Sequence, residues 1–286
     1  MTLDTLLEAI RYGEPVRGAD CRGWDLRGLD LSGAMIEDSD FTGADFGGAR
    51  LDDSYLGRCL LQDGRFSGAS LAEARLVDCR LDGARLDEAD LTSAAFLDCD
   101  LRGSDCSGAL IIQVTFSGCD LGAARLCTQR LEKTVFDATR LEGTDFSGAK
   151  LQFATFHQAD LRSVVLAGAA CEHTVFAGCD LSGQDLAGLS LPRCQFVDAR
   201  LDGAALRGAD LAQCGFKGAS LARAYPEVPA IVSLTRKPWP SRGVPLPIPA
   251  CRRESAVRAI RSSSPCVSAG RGWTFSGTDT FQKKIV

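Results

Sequence analysis

The chain has 286 residues, 45% apolar and 24% charged, with a formal net charge of −5. That balance suits a soluble protein of one large or two ordinary domains, and apolar runs of only a few residues exclude a transmembrane helix. The charge is uneven: residues 1–225 hold 34 acidic and 22 basic side chains, a net of −12, whereas residues 226–286 hold 3 and 10, a net of +7. Such a composition shift marks a boundary.

Residues 1–15 place Leu3, Leu6, Leu7 and Ile10 at helical spacing, with Thr2 or Asp4 available to cap the start. This predicts a short helix covering the end of the structure that follows. The segment carries acids where a signal peptide needs a basic start and an uninterrupted apolar stretch, so the expected location is the cytoplasm.

From Cys21 to Leu221 every fifth residue is Leu, Phe, Ile or Cys, 41 centres without a slip of frame. In Thr144–Leu161, for example, the large apolar residues are Phe146, Leu151, Phe156 and Leu161. A helix buries a face every 3.6 residues and a strand every 2, so neither explains a period of five. Two positions before most centres sits a small residue, as at Ala19, Ala34 and Ala44; two positions after sits glycine in 20 units, counting Gly18 ahead of the first centre. Each unit therefore reads as one side of a coil, with the small and the large residue inward and the remainder turning a corner. Glycine suits that corner because a tight turn often needs positive φ. Phe96, Phe116, Phe136, Phe156, Phe176, Phe196 and Phe216 recur every 20 residues, so a coil has four sides. At the ~4.8 Å spacing of hydrogen-bonded strands the phenylalanines form one stacked core column, and the units make about ten coils, roughly 48 Å long.

The units GADFGGARL, GARLDEADL and GADLAQC resemble the A(D/N)LXX consensus of the pentapeptide-repeat family, and the resemblance covers about 205 of 286 residues. It implies an all-β fold, a right-handed quadrilateral parallel β-helix, here over residues 16–225. It carries no catalytic residues. Some members of that family resemble duplex DNA in size and charge and inhibit or protect DNA gyrase, and proteins that begin with a leucine-rich helix followed by such repeats resemble accessory components of bacterial secretion systems.

Cysteines are frequent but uneven in number, 13 in all, which argues against a disulfide framework. Ten of the eleven in the repeat fall at inward phases: Cys21, Cys106 and Cys171 at centres, and Cys59, Cys79, Cys99, Cys119, Cys179, Cys194 and Cys214 at the small position. There Cys serves as a small apolar side chain, and stacked neighbours miss the Cβ separation a disulfide needs. Cys127 alone points outward. His157 and His173 face out on different sides with no matching ligand set, and no His or Lys is phased to activate a serine. No catalytic residue, cofactor or metal is implied.

Residues 226–286 hold eight of the ten prolines and lose the period. This basic, Pro-rich segment reads as disordered, with a short helix considered at Ser255–Arg261 and a role as an electrostatic arm toward nucleic acid or an acidic partner. The repeat itself is not expected to bind nucleic acid.

Function is expected on outward positions. Asp20, Asp40, Asp100, Asp120, Asp160 and Asp180 form one column, interrupted by Arg80, Arg140 and Arg200; the next runs Asp25, Asp45, Arg65, Arg85, Asp105, Arg125, Asp145. Alternating signs favour a self-paired solvated face, whereas a DNA mimic resting on Asp100, Asp120, Asp160 and Asp180 needs one sign. The purest acidic stretch is Asp30, Glu37, Asp38, Asp40 and Asp45, with no Lys or Arg from 28 to 49. Beside the Phe column, Leu97, Thr115, Val135, Thr155, Val175 and Val197 belong to a strip in which Asp137 is the only Asp, Glu, Lys or Arg between 95 and 197. The leading expectation is a non-enzymatic scaffold that docks a protein partner or a second copy there. A gyrase-directed DNA mimic and a secretion-system accessory are the alternatives.

Overall fold

The computed structural model describes residues 1–127 and 130–224; the segment 226–286, with its considered helix at 255–261, lies outside them. A nine-residue helix, α1 (Leu3–Arg11), opens the chain. Thr2 caps it: the Thr5 amide donates to Thr2 Oγ1 at 3.3 Å and the Thr2 amide to Thr5 Oγ1 at 2.9 Å. Leu6 is fully buried, and Leu7 and Ile10 pack partly buried against the core. Leu3, expected on the same face, is exposed instead.

The rest is a parallel solenoid whose neighbours in space are 20 residues apart in sequence. One sheet stacks Val16–Arg17, Met35–Glu37, Tyr55–Gly57, Arg75–Val77, Ala95–Leu97, Thr115–Ser117, Val135–Asp137, Thr155–His157 and Val175–Ala177 in that order. On a second face Ile111–Ile112, Leu131–Glu132, Lys150–Gln152 and Ala170–Glu172 pair likewise. The two remaining faces are held by single bridges such as Asp100↔Asp120 and Asp105↔Arg125. The nine strands of the first sheet span eight turns, fewer than the repeat count of about ten. Two further rungs follow as bridges, Val175↔Gln195 and Gln195↔Gly215, too short to be strands.

The period of five follows from the corner. In the unit Leu31–Ala34 the Ala34 amide donates to Leu31 O at 3.2 Å, and Gly33 between them has φ +70°. Positive φ at the third residue of a four-residue turn is the type II signature. Among the described residues, twenty non-glycine residues take the same conformation, with φ from 49° to 61°, and none of those twenty is Val, Ile or Thr, whose branched Cβ tolerates it worst.

Inside, the phenylalanines stack coil on coil with ring centroids 4.7–5.4 Å apart from Phe96 to Phe216. The small inward positions alternate Ala with Ser, Thr and Cys. The threonines and several cysteines among them reach a backbone carbonyl 23 residues earlier: Thr144 Oγ1 donates to Leu121 O at 2.8 Å, Thr139 Oγ1 to Phe116 O at 3.1 Å, and Cys79 Sγ to Leu56 O at 3.3 Å. The eleven cysteines of the described residues are all free thiols. Burial alone pushes Cys171 up to about 12, and burial, partly offset by the Ser104 hydroxyl, does the same at Cys106, so these thiols are inert fillers. Among the described residues no helix is long and apolar enough to cross a membrane.

Candidate interaction surfaces

Three faces of the solenoid carry ionic ladders. Within a coil, an Asp before the centre meets an Arg after it through two hydrogen bonds: Arg22 Nε and Nη2 donate to Asp20 at 2.8 and 2.6 Å, and Arg27, Arg102 and Arg162 repeat this on Asp25, Asp100 and Asp160. Between coils, Arg140 lies 3.8 Å from Asp120 and Arg200 lies 3.6 Å from Asp180. All four aspartates of the DNA-mimic alternative thus have an arginine within 4 Å. The hydrogen bond from Arg102 holds the Asp100 carboxyl below its usual value, as Arg162 does at Asp160, and Arg22 brings Asp20 down to about 2. The arginine-free window from 28 to 49 is not arginine-free in space. Arg50 faces Asp30 at 3.5 Å, Arg17 faces Glu37 at 3.2 Å, Arg58 faces Asp38 at 2.6 Å, Arg22 faces Asp40 at 3.6 Å and Arg27 faces Asp45 at 3.9 Å. The sequence reading of a pure acidic patch is therefore corrected, because each acid's partners lie one coil above or below.

These pairs set an acid limit. Asp20 and Asp25 drop from 3.8 to about 2 on folding, so their stabilisation is present above about pH 4 and disappears as pH falls through about 2. The melting temperature, followed by circular dichroism, is expected to be level from about pH 7 to about pH 5 and to fall between about pH 4 and pH 2. A decline starting above pH 5 would contradict this.

The fourth face, whose first coils carry the Arg17–Glu37 pair, is different from rung 96 onward. Thr115, Val135, Thr155 and Val175 pair in register along one side of the Phe column, continued by Gln195, while Leu97 and Val197 belong to the other side. All six predicted contact residues are half-buried. Its one carboxylate, Asp137, is taken up by His157, whose Nδ1 lies 2.7 Å from Asp137 Oδ1. Six rungs give a strip roughly 29 Å long.

The model "Pentapeptide repeat region" matches residues 49–126, and "Pentapeptide repeats (8 copies)" matches 17–53, 130–166, 165–203 and 194–225. Together they cover residues 17–126 and 130–225. The chain belongs to the pentapeptide-repeat family. Among solved structures, this pentapeptide-repeat chain is similar to HetL, a protein involved in heterocyst differentiation regulation from the cyanobacterium Nostoc sp. strain PCC 7120. The two are 24% identical over 77% of this chain and 97% of that one, with a TM-score of 0.42. QnrB1, a plasmid-mediated fluoroquinolone resistance protein, is 19% identical over 70% of this chain and 91% of its own, with a TM-score of 0.45. Rfr23 from the cyanobacterium Cyanothece 51142 is 17% identical over 48% and 98%, with a TM-score of 0.30. A comparison with curated proteins returned no match.

Two departures from the pentapeptide-repeat pattern were not read from the sequence. At one corner Phe153, 51% exposed, stacks on His173 with centroids 4.8 Å apart; Arg193 Nη1 lies 3.3 Å from His173 Nε2, and Arg193 Nε donates to Gln213 at 2.9 Å. Their spacing of 20 at the corner phase was the available signal. Elsewhere the ladder opens. Among the described residues Arg140 does not bridge Asp160, nor Val165 Asp185, although the rungs on either side bridge normally. A shallow cleft of about 670 Å³ lies at the first opening, lined by Arg140, Gln158, Asp160, Arg162 and Ser163 among others. Among the described residues no group of three or more His, Cys, Asp or Glu is placed to hold a metal ion.

Proposed function

We propose that the protein is a non-enzymatic interaction scaffold that docks a protein partner, or its own copy, through the strip bearing Leu97, Thr115, Val135, Thr155, Val175 and Val197. One observation carries this reading: the strip lacks ion pairs except the local Asp137–His157 contact, whereas the other three faces satisfy their charges internally. A flat face without charge loses little hydration when covered, and contiguous surfaces of that kind mark interaction sites. The paired acids argue against a DNA mimic, since each carboxylate's field is cancelled by a guanidinium within 4 Å.

The test compares the full chain with Val135→Glu/Val175→Glu and with Asp100→Lys/Asp120→Lys. The first pair is expected to change oligomeric state and crosslinked partner capture, and the second to leave both intact with no effect on gyrase supercoiling. Supercoiling inhibition at micromolar concentration that Asp100→Lys/Asp120→Lys abolishes would replace this reading with the mimic.

A further inference from the structure

The strip is its own complement, and this deepens the interaction reading on which it rests. Numbered by centres, its six rungs run from 96 to 196, so its midpoint lies between rungs 136 and 156. The titratable side chains of the strip, Asp137 and His157, sit on those two central rungs, in one column. A two-fold axis along the strand direction through that midpoint turns a second copy antiparallel while keeping each column opposite itself. It sets rung 136 against rung 156 of the second copy, 116 against 176, and 96 against 196.

Within the strip the oppositions that result are compatible. Leu97 meets Val197, Thr115 meets Val175, Ser117 meets Ala177, Val135 meets Thr155, and Asp137 meets His157, each pair occurring twice by symmetry. One rung further out on each side, Arg75 meets Gly215 and Val77 meets Lys217. The alternative axis, along the solenoid, makes the copies parallel and sets Asp137 against Val135, which buries a carboxylate against an apolar side chain. His157 is suited to its part. Its Nδ1 is held by its own Asp137 at 2.7 Å, and among the described residues its Nε2 has no partner, while both side chains remain about half exposed, 49% and 45%. At one edge, exposed Asp98 approaches Asp198 of the second copy, the single like-charge approach in this register.

We propose that the partner of this face is a second copy of the chain, docked antiparallel about a two-fold axis between rungs 136 and 156, with reciprocal Asp137–His157 contacts at its centre. A strip roughly 29 Å by 10 Å covers roughly 300 Å² per copy. A standard interface buries about 800 Å² per partner, so the dimer is weak, dissociating at tens to hundreds of micromolar.

Sedimentation equilibrium of the full chain is expected to show a reversible monomer–dimer equilibrium in that range. Val135→Glu/Val175→Glu weakens it at least about tenfold, and so does Asp137→Lys, whereas Asp137→Lys with His157→Glu restores it. Register is read by oxidative crosslinking. Leu97 and Val197 lie five coils apart, roughly 24 Å, so they are beyond disulfide reach within one chain. In the double variant Leu97→Cys/Val197→Cys, a crosslink between those two positions, identified by peptide mapping against the parent chain, is therefore intermolecular and antiparallel. A crosslink confined to Ala95→Cys/Leu97→Cys reports parallel copies and overturns the proposal. So does a monomer at millimolar concentration, or a dimer indifferent to Val135→Glu/Val175→Glu. A monomer that still captures a different protein in a strip-dependent way overturns self-pairing and leaves the broader interaction reading standing; loss of both removes that reading too.

Discussion

Replacing Phe136 with alanine is expected to cost about 3–5 kcal/mol, the largest loss from one side chain in this fold. Phe136 is fully buried and sits mid-column, stacked on Phe116 at 5.3 Å and Phe156 at 4.7 Å and met edge-on by Phe146 at 5.7 Å. Alanine removes apolar area and three ring contacts, and leaves a cavity walled by rigid backbone on four sides. Phe136→Leu is expected to cost only about 1 kcal/mol, since Leu56 and Leu76 already occupy this column. Guanidinium unfolding followed by far-UV circular dichroism measures both. Because coils contact only their neighbours, amide exchange should accelerate most at rungs 116 and 156 and least at rung 36. An alanine variant within 1 kcal/mol of the parent, or exchange that rises evenly along the rod, would mean that the column is not the spine of the structure.

How much of this was readable beforehand depended on whether the constraint was carried within one unit. The inward pair and the corner are, so five residues sufficed to specify a side and the 20-residue recurrence of Phe sufficed to specify the coil. Charge pairing is carried between coils: the alternating columns point to stacked pairs such as Asp120–Arg140 and Asp180–Arg200, but not to the partners of the N-terminal acids. Glu37 looks unopposed along the chain, but its partners are Arg17, 20 residues back, and Arg58, 21 ahead. Folding the charges onto the 20-residue period would have found both. The Asp20–Arg22 type of pair is local, an acid and an arginine two residues apart on one face of the chain, flanking one centre. Treating cysteine as a small apolar residue was adequate for packing. It missed the bond from Cys79 Sγ to Leu56 O, which only the stacking of coils creates. Trp24 and Leu29 broke the small-residue rule where α1 could absorb them, partly buried at the first coil. Val164 and Gln184 broke it in the middle of the rod, where no cap exists, and the backbone ladder yielded.

Gln184 shows how that yielding is stabilised, and its substitution should invert the usual order of hydrophobic and small residues. In the regular coils of this column the amide after the small residue donates to the carbonyl one coil back: Asp145 N to Ala124 O, Val165 N to Thr144 O and Ala205 N to Gln184 O, each at 2.9 Å. Asp185 N instead donates to Gln184 Oε1 at 2.9 Å, while Gln184 Nε2 donates to Leu161 O at 2.7 Å and Val164 O at 2.8 Å. One buried amide thus replaces the missing rung. Gln184→Leu keeps the bulk that holds the coils apart but strips Asp185 N and Val164 O of their partner, leaving Leu161 O only its turn bond from Val164 N, and is expected to cost about 2–3 kcal/mol. Gln184→Ala removes the wedge as well. Position 184 then matches its neighbour Ala204 and the more distant Ala124, Asp185 N can reach Val164 O, and the cost should stay near 1 kcal/mol or below. Guanidinium unfolding gives the ranking, and amide exchange at Asp185 gives the reason: protection retained in the alanine variant, lost in the leucine one. Equal costs for the two variants would show that the gap is imposed by Val164 on the coil before, with Gln184 merely occupying it.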